Sequence, residues 1–343
     1  MMEEKYPMAI VTAPGKIEFQ EKKLPEMGDL DVKIAIKATS ICGSDLHIFK
    51  GLHPAAPLPM AVGHEISGEV VDVGKRVTNL NIGDGVAVEP VINCDICHYC
   101  VRGLYHLCTD ISFQYRVGQG GITPYIVVPE KYAHKIPEGL SFEEGALIEP
   151  LSVALHAVKK ANLQIGQRVA IFGAGAVGLI IHLLCKQSGV STFLVDVNKF
   201  RLNKAKDLGA TGIFNNIEGK TVEKIINLTE GLGVDVSFEA VGLEVTLVQA
   251  LQVLKKGGLA ILLGLFEQEK LNLPANIFVQ KEIGLQGTQG YNWDFQDGIK
   301  LLEQGNFILK SLITHEFSFN DAQEAFDLLN DPKNEAIKIV LKS

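Results

Sequence analysis

Residues 168–178 read RVAIFGAGAVG, a short apolar run followed at once by the pattern Gly173-x-Gly175-x-x-Gly178. The run predicts a buried strand, and the residues after it, up to about Gln187, predict a helix. In such a unit the first glycine permits the tight turn, the second lets the backbone approach a pyrophosphate, and the third allows close packing of helix on strand. The stretch therefore predicts a dinucleotide site at the helix N-terminus, where unpaired N–H groups attract an anion.

The alternation of strand and helix continues after this unit. The further predicted elements are strands 192–196, 234–239, 259–263 and 283–286, helices 199–208 and 244–254, and, in the tail, helices 295–304 and 320–330 and strand 336–341. Strands that alternate with helices indicate βαβ units on a parallel sheet. The second half of the chain is therefore predicted to be an α/β domain with a doubly wound parallel sheet.

The preference for one dinucleotide depends on two residues beyond the glycines. Asp196 ends the next predicted strand, 18 residues after Gly178, where an acid can bind the adenosine ribose hydroxyls. A carboxylate there repels a 2′-phosphate and favours NAD over NADP. Arg201 leaves the choice open, because a guanidinium can accept a 2′-phosphate or stack on the adenine. A glycine turn with a purely structural role is the alternative.

The first 150 residues have a different pattern. Residues 32–39 alternate between apolar and polar side chains, which predicts a half-buried strand. Short apolar runs at 67–73 and 86–89 follow, separated by glycines. Short strands with glycine turns indicate a compact barrel or sandwich. The length of 343 residues agrees with two domains.

Charge and composition disfavour several classes of protein. The net charge of −8 argues against a nucleic acid or an anionic membrane as the main partner. The start, residues 1–5, lacks the layout of a signal peptide, and no window approaches 18 uninterrupted apolar residues. We therefore expect a cytoplasmic protein with no nucleic-acid partner and no membrane association.

Four of the six cysteines, Cys94, Cys97, Cys100 and Cys108, lie within fifteen residues. In a long chain without a signal peptide, such a cluster indicates metal binding rather than disulfides. Four thiolates complete a tetrahedral zinc site of the structural kind. An iron–sulfur cluster is disfavoured because the fourth cysteine has the wrong spacing and no following proline. The acidic balance disfavours a nucleic-acid-binding zinc knuckle.

Cys42, His64 and Glu65 are candidates for a second, catalytic metal site. A catalytic zinc takes about three ligands of these types and keeps one open position. Each residue also has an ordinary structural interpretation, since a lone cysteine is usually a small core residue. The spacing alone leaves both interpretations open.

Several motifs occur in the order found in zinc-containing medium-chain alcohol dehydrogenases, a family that the chain resembles over nearly its whole length. They are CGSDxH at 42–47, GHExxG at 63–68, the four-cysteine lobe, LIEPLS at 147–152, the glycine pattern and Asp196. The LIEPLS stretch looks like the branch of sorbitol (polyol), 2,3-butanediol and L-threonine dehydrogenases. Residues 103–108 and 231–239 look most like the butanediol members.

The resemblance implies a fold and a domain organisation. It implies a mostly β, barrel-like (GroES-like) catalytic domain that carries the structural-zinc lobe, formed by residues 1–151 and 287–343. A Rossmann-type NAD-binding domain, residues 152–286, would be inserted into it, so that the tail returns to the first domain. Members of the family are often dimers or tetramers, which implies a homodimer or homotetramer.

The resemblance also implies the zinc ligands. Cys42, His64 and Glu65 would hold the catalytic zinc. Asp45 could orient His64 by accepting a hydrogen bond from the ring nitrogen that does not bind the metal. Glu149 stands where other branches have a second cysteine and can bind directly or through water, so that Glu65 and Glu149 can exchange roles. With the cysteine lobe, each chain would hold two zinc ions.

A proton relay and further cofactor contacts follow from the same resemblance. Ser44 would accept the alcohol proton and pass it, through the nicotinamide ribose, to His47. The additional cofactor contacts implied by family correspondence are Val177, Leu263, Gly264, Leu265, Gly287 and Thr288.

One departure concerns the substrate. Sorbitol dehydrogenases carry an Arg-Tyr pair near the substrate, and this chain has Gly290-Tyr291, which removes a polar anchor for a long polyhydroxyl chain. Phe49, Phe113, Tyr115 and Trp293 are candidates for an apolar pocket.

Together these residues predict the zinc-dependent oxidation of a secondary alcohol to a ketone with hydride transfer to NAD. A vicinal diol or polyol, such as 2,3-butanediol or sorbitol, is the favoured substrate. L-threonine 3-dehydrogenase activity is an alternative, although no charge partner for an amino acid is evident. A catalytically silent NAD(H)-binding regulatory protein is the alternative from another class.

Overall fold

The computed structural model describes residues 5–305, 307 and 309–343. The chain divides into two compact units, Met1–Glu149 with Phe295–Ser343, and Pro150–Asp294. These borders lie near the predicted domain boundaries at 151/152 and 286/287. The assignment of a catalytic and a nucleotide-binding domain to them stays a prediction.

The first unit begins with ten short strands and two short helices. In chain order these are β1 (Lys5–Ala13), β2 (Lys16–Lys23), β3 (Asp31–Ser40), α1 (Gly43–Phe49), β4 (Met60–Ala61), β5 (Glu65–Val73), β6 (Gly85–Val88), β7 (Val91–Ile92), β8 (Ser112–Phe113), β9 (Tyr125–Pro129), β10 (Ala133–Lys135) and α2 (Phe142–Ala146).

The second unit alternates strand and helix. Its elements are α3 (Ile148–Ala161), which begins just before the border, β11 (Arg168–Phe172), α4 (Ala176–Gln187), β12 (Ser191–Asp196), α5 (Lys199–Asp207), β13 (Gly212–Asn215), α6 (Thr221–Leu228), β14 (Val234–Glu239), α7 (Glu244–Gln252), β15 (Leu254–Leu262), α8 (Asn276–Lys281) and β16 (Gly284–Gly287). The tail then adds α9 (Asp294–Glu303), β17 (Ile313–Ser318), α10 (Ala322–Asn330) and β18 (Lys338–Lys342).

The second unit is built on one parallel sheet of six strands, in the order β13-β12-β11-β14-β15-β16. Every neighbouring pair in it is parallel. Strand order reverses between β11 and β14, and this is the doubly wound Rossmann order with its switch point. The predicted fold class of this half of the chain is confirmed.

The first unit has a mostly antiparallel sheet in the order β10-β6-β5-β3-β18-β17, with β9 also paired to β3, and a smaller sheet β2-β1-β4. The half-buried strand predicted at 32–39 is confirmed, since Val32, Ile34, Ile36 and Ala38 of β3 are buried and alternate with half-buried residues up to Lys37. Strand β18 pairs with β3, so the tail returns to this unit as the resemblance implies. None of the described helices has the length and apolar character needed to cross a membrane.

Candidate metal centres and nucleotide site

Asp45 joins the two segments that carry the candidate catalytic ligands. Helix α1 begins directly after Cys42, and one oxygen of Asp45 accepts the backbone N–H of Cys42 at 3.0 Å. Its other oxygen accepts the N–H of Gly63 at 3.0 Å and contacts Nδ1 of His64 at 3.2 Å. The predicted orienting contact is therefore present, and it leaves Nε2 as the ring nitrogen that can face a metal.

The electrostatics of this pair favour an ionised carboxylate. Burial alone would raise the pKa of Asp45, but the charge and the hydrogen bonds of its partners, His64 first, lower it. Burial opposes a charged His64, yet Asp45 raises the pKa of the ring well above its usual value. Asp45 therefore accepts a hydrogen bond from the ring and holds its orientation.

The structure brings three of the four predicted catalytic ligands together. Cys42, His64 and Glu65 each offer a ligand atom, and these atoms all lie within 4.8 Å of one another. Glu149, in the first turn of α3, lies outside this group. Burial, together with the negative charge of Glu65, raises the pKa of Glu149 to about 7, although the charge of His64 opposes the shift.

Lys338 is a partner of this site that sequence reasoning missed. Its ammonium lies 2.6 Å and 2.5 Å from the two carboxylate oxygens of Glu65, and both side chains are almost fully buried. Lys338 also donates to the carbonyl of Ile41 at 3.1 Å, and the hydroxyl of Ser40 donates to Glu65. The only hint in the sequence is one lysine within the apolar run of the last strand, where a surface position would be the usual interpretation.

The predicted proton-relay residues share helix α1. Ser44 and His47 are half-buried and three residues apart, so they lie on neighbouring positions of one helix face. Of the predicted pocket aromatics, Tyr115 stacks on Phe113 at 5.4 Å between ring centroids and lies 5.9 Å from the ring of His64.

Two of the predicted pocket aromatics have other surroundings. The interpretation of Phe49 as a pocket residue is wrong, because this side chain is fully buried in the core. Its ring packs against that of Phe326, with 5.2 Å between the ring centroids. Trp293 is more than half exposed, with its backbone at φ +66°. A one-dimensional pattern cannot separate an aromatic of the core from one that lines a site.

The four cysteines of the lobe also converge. The Sγ atoms of Cys94, Cys97, Cys100 and Cys108 all lie within 4.8 Å of one another. Backbone N–H groups of Cys100 and Thr109 lower the pKa of Cys97 to about 5, whereas burial raises that of Cys108 to about 11. Four sulfur donors at these separations suit a closed tetrahedral zinc site.

Asn93 connects this lobe to the neighbouring sheet. Its side-chain amide donates to Sγ of Cys100 at 3.5 Å, and its carbonyl oxygen accepts the hydroxyl of Tyr132 at 2.7 Å. The backbone N–H of Asn93 donates in return to that hydroxyl at 3.1 Å. A side chain that holds a ligand sulfur in this way fixes the orientation of the ligand.

A second contact anchors the other side of the lobe. The buried carboxylate of Glu89 accepts the hydroxyl of Tyr105 at 2.6 Å and contacts Nε2 of His134 at 2.9 Å. Tyr105 lies between the third and fourth cysteines, and His134 belongs to β10. The lobe is therefore attached to the sheet at both of its ends.

In the second unit, the glycine turn has the geometry that its pattern predicts. Gly173 has φ +104°, a conformation that favours glycine. A Cβ on Gly178 would overlap the carbonyl oxygen of Gly173, so only glycine allows this close packing. Gly175 is the N-cap of α4 at φ −72°, and a Cβ there would meet only the guanidinium of Arg201, at 4.0 Å. Arg201 therefore lies beside the turn.

Asp196, at the end of β12, holds the same turn. Its two carboxylate oxygens accept the N–H groups of Ala174 at 2.7 Å and of Asn198 at 2.8 Å. Val177, in the first turn of α4, is half-buried. The carboxylate of Asp196 thus has a structural task in addition to the ribose contact that the sequence predicts.

The remaining predicted cofactor contacts follow the ends of neighbouring strands. Leu263, Gly264 and Leu265 come after β15, and Gly287 and Thr288 end β16 or follow it. In parallel strands the carboxyl ends share one edge of the sheet, where α/β proteins bind their ligands. The predicted contacts therefore converge on the edge that carries the glycine turn.

Glu239 shapes this edge and was not recognised from the sequence. It ends β14, and burial raises its pKa although Thr246 and three backbone N–H groups donate to it. Its carboxylate accepts the N–H groups of Val241 at 3.0 Å and of Gly242 at 2.9 Å, while its backbone carbonyl accepts those of Leu263 and Gly264. One residue therefore fixes two of the loops at the sheet edge.

Two glycine substitutions separate packing from ligand approach. We expect Gly178→Ala to lower the free energy of unfolding by about 1–3 kcal/mol, because the new methyl group overlaps a backbone carbonyl. The matched variant Gly175→Ala should unfold like the wild type but bind NADH more weakly, because its methyl group occupies the surface that the pyrophosphate approaches. Urea unfolding and fluorescence titration with NADH measure the two effects, and equal stability of the two variants would contradict the packing argument.

The contact between Asn93 and the lobe makes a second prediction. If the four-cysteine site holds zinc, as the sequence predicts, Asn93→Ala should release it to a chelator about tenfold faster, because the sulfur of Cys100 loses its donor. Arg102→Ala is the control, because the guanidinium of Arg102, in the same lobe, donates to the backbone carbonyl of His98 and not to a cysteine sulfur. A wild-type release rate in Asn93→Ala would show that the amide has no part in holding the metal.

Two family models match the chain. The alcohol dehydrogenase GroES-like domain matches residues 28–138, and the zinc-binding dehydrogenase model matches residues 176–304. Among curated relatives, sorbitol dehydrogenase 1 of Saccharomyces cerevisiae is 36% identical over 99% of both chains. Sorbitol dehydrogenase of Bacillus subtilis is 35% identical over 97% of this chain and 96% of its own.

Solved structures of similar proteins agree with these matches. The 2R,3R-butanediol dehydrogenase of Bacillus subtilis superposes with a TM-score of 0.88 at 33% identity, covering 98% of this chain and 99% of its own. A zinc-binding dehydrogenase of Sinorhizobium meliloti 1021, bound to NADP, gives 0.90 at 28% identity over 99% and 100%. An alcohol dehydrogenase of Escherichia coli CFT073, complexed with NADH, gives 0.90 at 27% identity over 99% of both chains.

Proposed function

Since the chain belongs to the zinc-dependent medium-chain alcohol dehydrogenase family, we propose that it uses NAD to oxidise a vicinal diol or polyol such as 2,3-butanediol or sorbitol. That it is a zinc-dependent alcohol or polyol dehydrogenase, which converts a secondary alcohol to a ketone, follows from its relatives. The identity of the substrate, the choice of NAD and the roles of individual residues belong to the proposal.

The observation that carries the proposal is the convergence of Cys42, His64 and Glu65 within 4.8 Å. A thiolate, an imidazole and a carboxylate are all ligands that zinc accepts, and three protein ligands leave one position open, as in catalytic sites. The donor set therefore fits zinc. When bound there, zinc is a Lewis acid that lowers the pKa of a hydroxyl group in the open position.

The protein's own groups would then manage the proton and the geometry. Ser44, two residues after Cys42, would accept the hydroxyl proton at its Oγ while its own hydroxyl proton passes on toward His47. His47, on the same face of α1, would release a proton to solvent. Asp45 keeps the ring of His64 in one orientation through its contact with Nδ1. Holding groups in a fixed geometry lowers the entropic part of the barrier to hydride transfer.

We propose that Glu65 is the third direct ligand of the catalytic zinc, with Lys338 as the residue that positions it. Glu65 belongs to the convergent group and Glu149 lies outside it. A ligating carboxylate is itself usually hydrogen-bonded, and Lys338 and Ser40 supply these bonds. Glu149, whose pKa is raised to about 7, is available to exchange a proton or to hold a water beside the site.

The second zinc is proposed for Cys94, Cys97, Cys100 and Cys108, whose sulfur atoms suit a closed site. The cofactor is proposed to be NAD because Asp196 presents a carboxylate near the glycine turn and would repel a 2′-phosphate. Arg201 supports the alternative of NADP, since its guanidinium lies beside Gly175 and can pair with a 2′-phosphate.

Two statements about the whole protein rest on resemblance and composition. We propose a homodimer or homotetramer, because family members commonly associate in this way, and a cytoplasmic location, because none of the six cysteines forms a disulfide bond. L-threonine 3-dehydrogenase activity remains the alternative within the same chemistry. An NAD(H)-binding regulatory protein without turnover remains the alternative outside it.

The test of the function is the appearance of NADH, followed by absorbance, with zinc-loaded protein. We expect turnover of 2,3-butanediol isomers, sorbitol or xylitol with NAD, and less with NADP, L-threonine or 2-propanol. Cys42→Ala and His64→Ala should abolish turnover yet bind NADH almost as the wild type does, because their side chains belong to the metal site of the first unit. His315→Ala, outside the site, is the control.

Other results would decide between the alternatives. Turnover of L-threonine alone would move the substrate to the amino-acid branch. NADH binding without turnover of any alcohol in the panel would favour the regulatory protein and contradict the enzyme. Full activity in His64→Ala, after removal and return of zinc, would disprove the proposed ligand set.

The role of Lys338 gives a separate prediction on metal-free protein. Lys338→Met should lower the free energy of unfolding by about 3–5 kcal/mol, because it leaves the buried carboxylate of Glu65 without its counter-charge. Zinc should restore part of this loss, since the cation then neutralises the same carboxylate. Denaturant unfolding with and without zinc measures both effects, and the double variant Lys338→Met with Glu65→Gln is the control that removes both charges. If zinc raises the free energy of unfolding of Lys338→Met no more than it raises that of the wild type, the result would contradict Glu65 as a ligand.

A further inference from the structure

A small groove in the first unit lies between the sheet β2-β1-β4 and the turn at 114–118. Its volume is about 220 Å³. Ile10 and Met60 contribute apolar surface, Gln20 a side-chain amide, and Tyr115 an aromatic wall. Pockets for drug-sized ligands measure roughly 300–1,000 Å³, so a groove of this size suits a small group rather than a whole cofactor.

The charged residues of this groove, Lys22 and Arg116, have the same sign. None of the described residues that line it is acidic. Among the described residues, none forms a hydrogen bond or an ion pair with the side chain of Lys22 or Arg116. The nearby acid Glu18, two residues from Gln20 on β2, is paired with Lys16 at 2.5 Å. Two uncompensated cations on one concave surface, in a protein of net charge −8, form a local positive potential that attracts anions.

One aromatic residue contacts both the groove and the surroundings of the candidate catalytic site. Tyr115 lines the groove, and its ring centroid lies 5.9 Å from that of His64. Burial lowers the pKa of His53, and the positive charges of His47 and Arg116 add to this effect. A ligand in the groove would therefore be close to the groups that handle the alcohol.

We propose that the groove binds a small anionic group, a carboxylate or a phosphate, through Arg116 and Lys22. The guanidinium offers a planar fork that matches both anions with two parallel hydrogen bonds, and the ammonium adds a point charge. The anion has two possible sources, the acidic end of a substrate whose alcohol reacts at the catalytic site, or a separate anion in solution. The first source rests on the proposed function, and the second does not.

The binding experiment uses zinc-loaded protein saturated with NADH, so that the nucleotide site is already filled. Thermal unfolding is followed while inorganic phosphate is added, with sodium chloride at equal ionic strength as the reference. The variants are Arg116→Gln, Lys22→Gln and their combination. Arg76→Gln is the matched control, because Arg76 is an exposed arginine of the same unit that does not line the groove.

We expect saturable stabilisation by phosphate in the wild type and in Arg76→Gln. Its apparent affinity should fall about tenfold in Arg116→Gln, and the effect should disappear in the double variant, because a charge-assisted pair of hydrogen bonds is lost. An unsaturable effect of equal size in all the proteins would be a general salt effect and would overturn the proposal.

The kinetic experiment assigns the source of the anion by comparing sorbitol with sorbitol 6-phosphate. A KM for the phosphate ester that rises about tenfold in Arg116→Gln, with the KM for sorbitol unchanged, would assign the anion to the substrate. Inhibition or activation of sorbitol oxidation by phosphate, lost in Arg116→Gln, would assign it to a free anion. If Arg116→Gln changes the KM for both substrates equally, and phosphate has no effect on sorbitol oxidation, the groove is not an anion site and the proposal is overturned. If no polyol reacts, the proposed function fails, and the binding experiment still tests the groove.

Discussion

The candidate catalytic site depends on one buried carboxylate. Asp45 accepts hydrogen bonds from the N–H groups of Cys42 and Gly63 and contacts Nδ1 of His64. It therefore holds the two ligand-bearing segments close to each other. Asp45 and Gly63 are 18 positions apart in the sequence, and the two segments would otherwise be independent loops. Without this carboxylate, the start of α1, the turn at Gly63 and the ring of His64 would all lose the contact that holds them. The geometry of the site therefore depends on the buried Asp45 rather than on the ligands themselves.

Two other buried acids of the first unit are compensated by partners in the same way. Glu65 is neutralised by Lys338, and Glu89 is held by Tyr105 and His134. A buried charge is tolerated only when it is paired or hydrogen-bonded, and removing one partner costs more than the pair contributes. Each of these pairs also joins segments that are distant in sequence. These three acids therefore hold distant segments of the first unit together, and the geometry of the two proposed metal sites depends on their contacts.

The sequence predicted most of what depends on local pattern. Strand β11, helix α4 and strand β14 were found because apolar periodicity and glycine turns are properties of short segments. Helix α3, strand β13 and helix α6 were missed, although α3 and α6 each have an apolar face with a helical period. The convergence of Cys42, His64 and Glu65 was predicted by family resemblance, whereas Lys338 and Glu239 required the structure. Their role lies in what they contact across long sequence separations, and a pattern of neighbours along the chain does not encode such contacts.

The return of the tail to the first unit has a consequence for synthesis. Strand β18 pairs with β3 and brings Lys338 to Glu65, although 145 residues of the second unit, Pro150–Asp294, come between them in the chain. A ribosome delivers the second unit as one uninterrupted segment, which can fold as soon as it emerges, while the first unit waits for the segment that contains β18. Until then β3 has an open edge and Glu65 has no counter-ion. A nascent chain arrested before β18 would therefore present a folded second unit and a first unit whose sheet is incomplete, so the pairing of β18 with β3 completes the fold of the first unit.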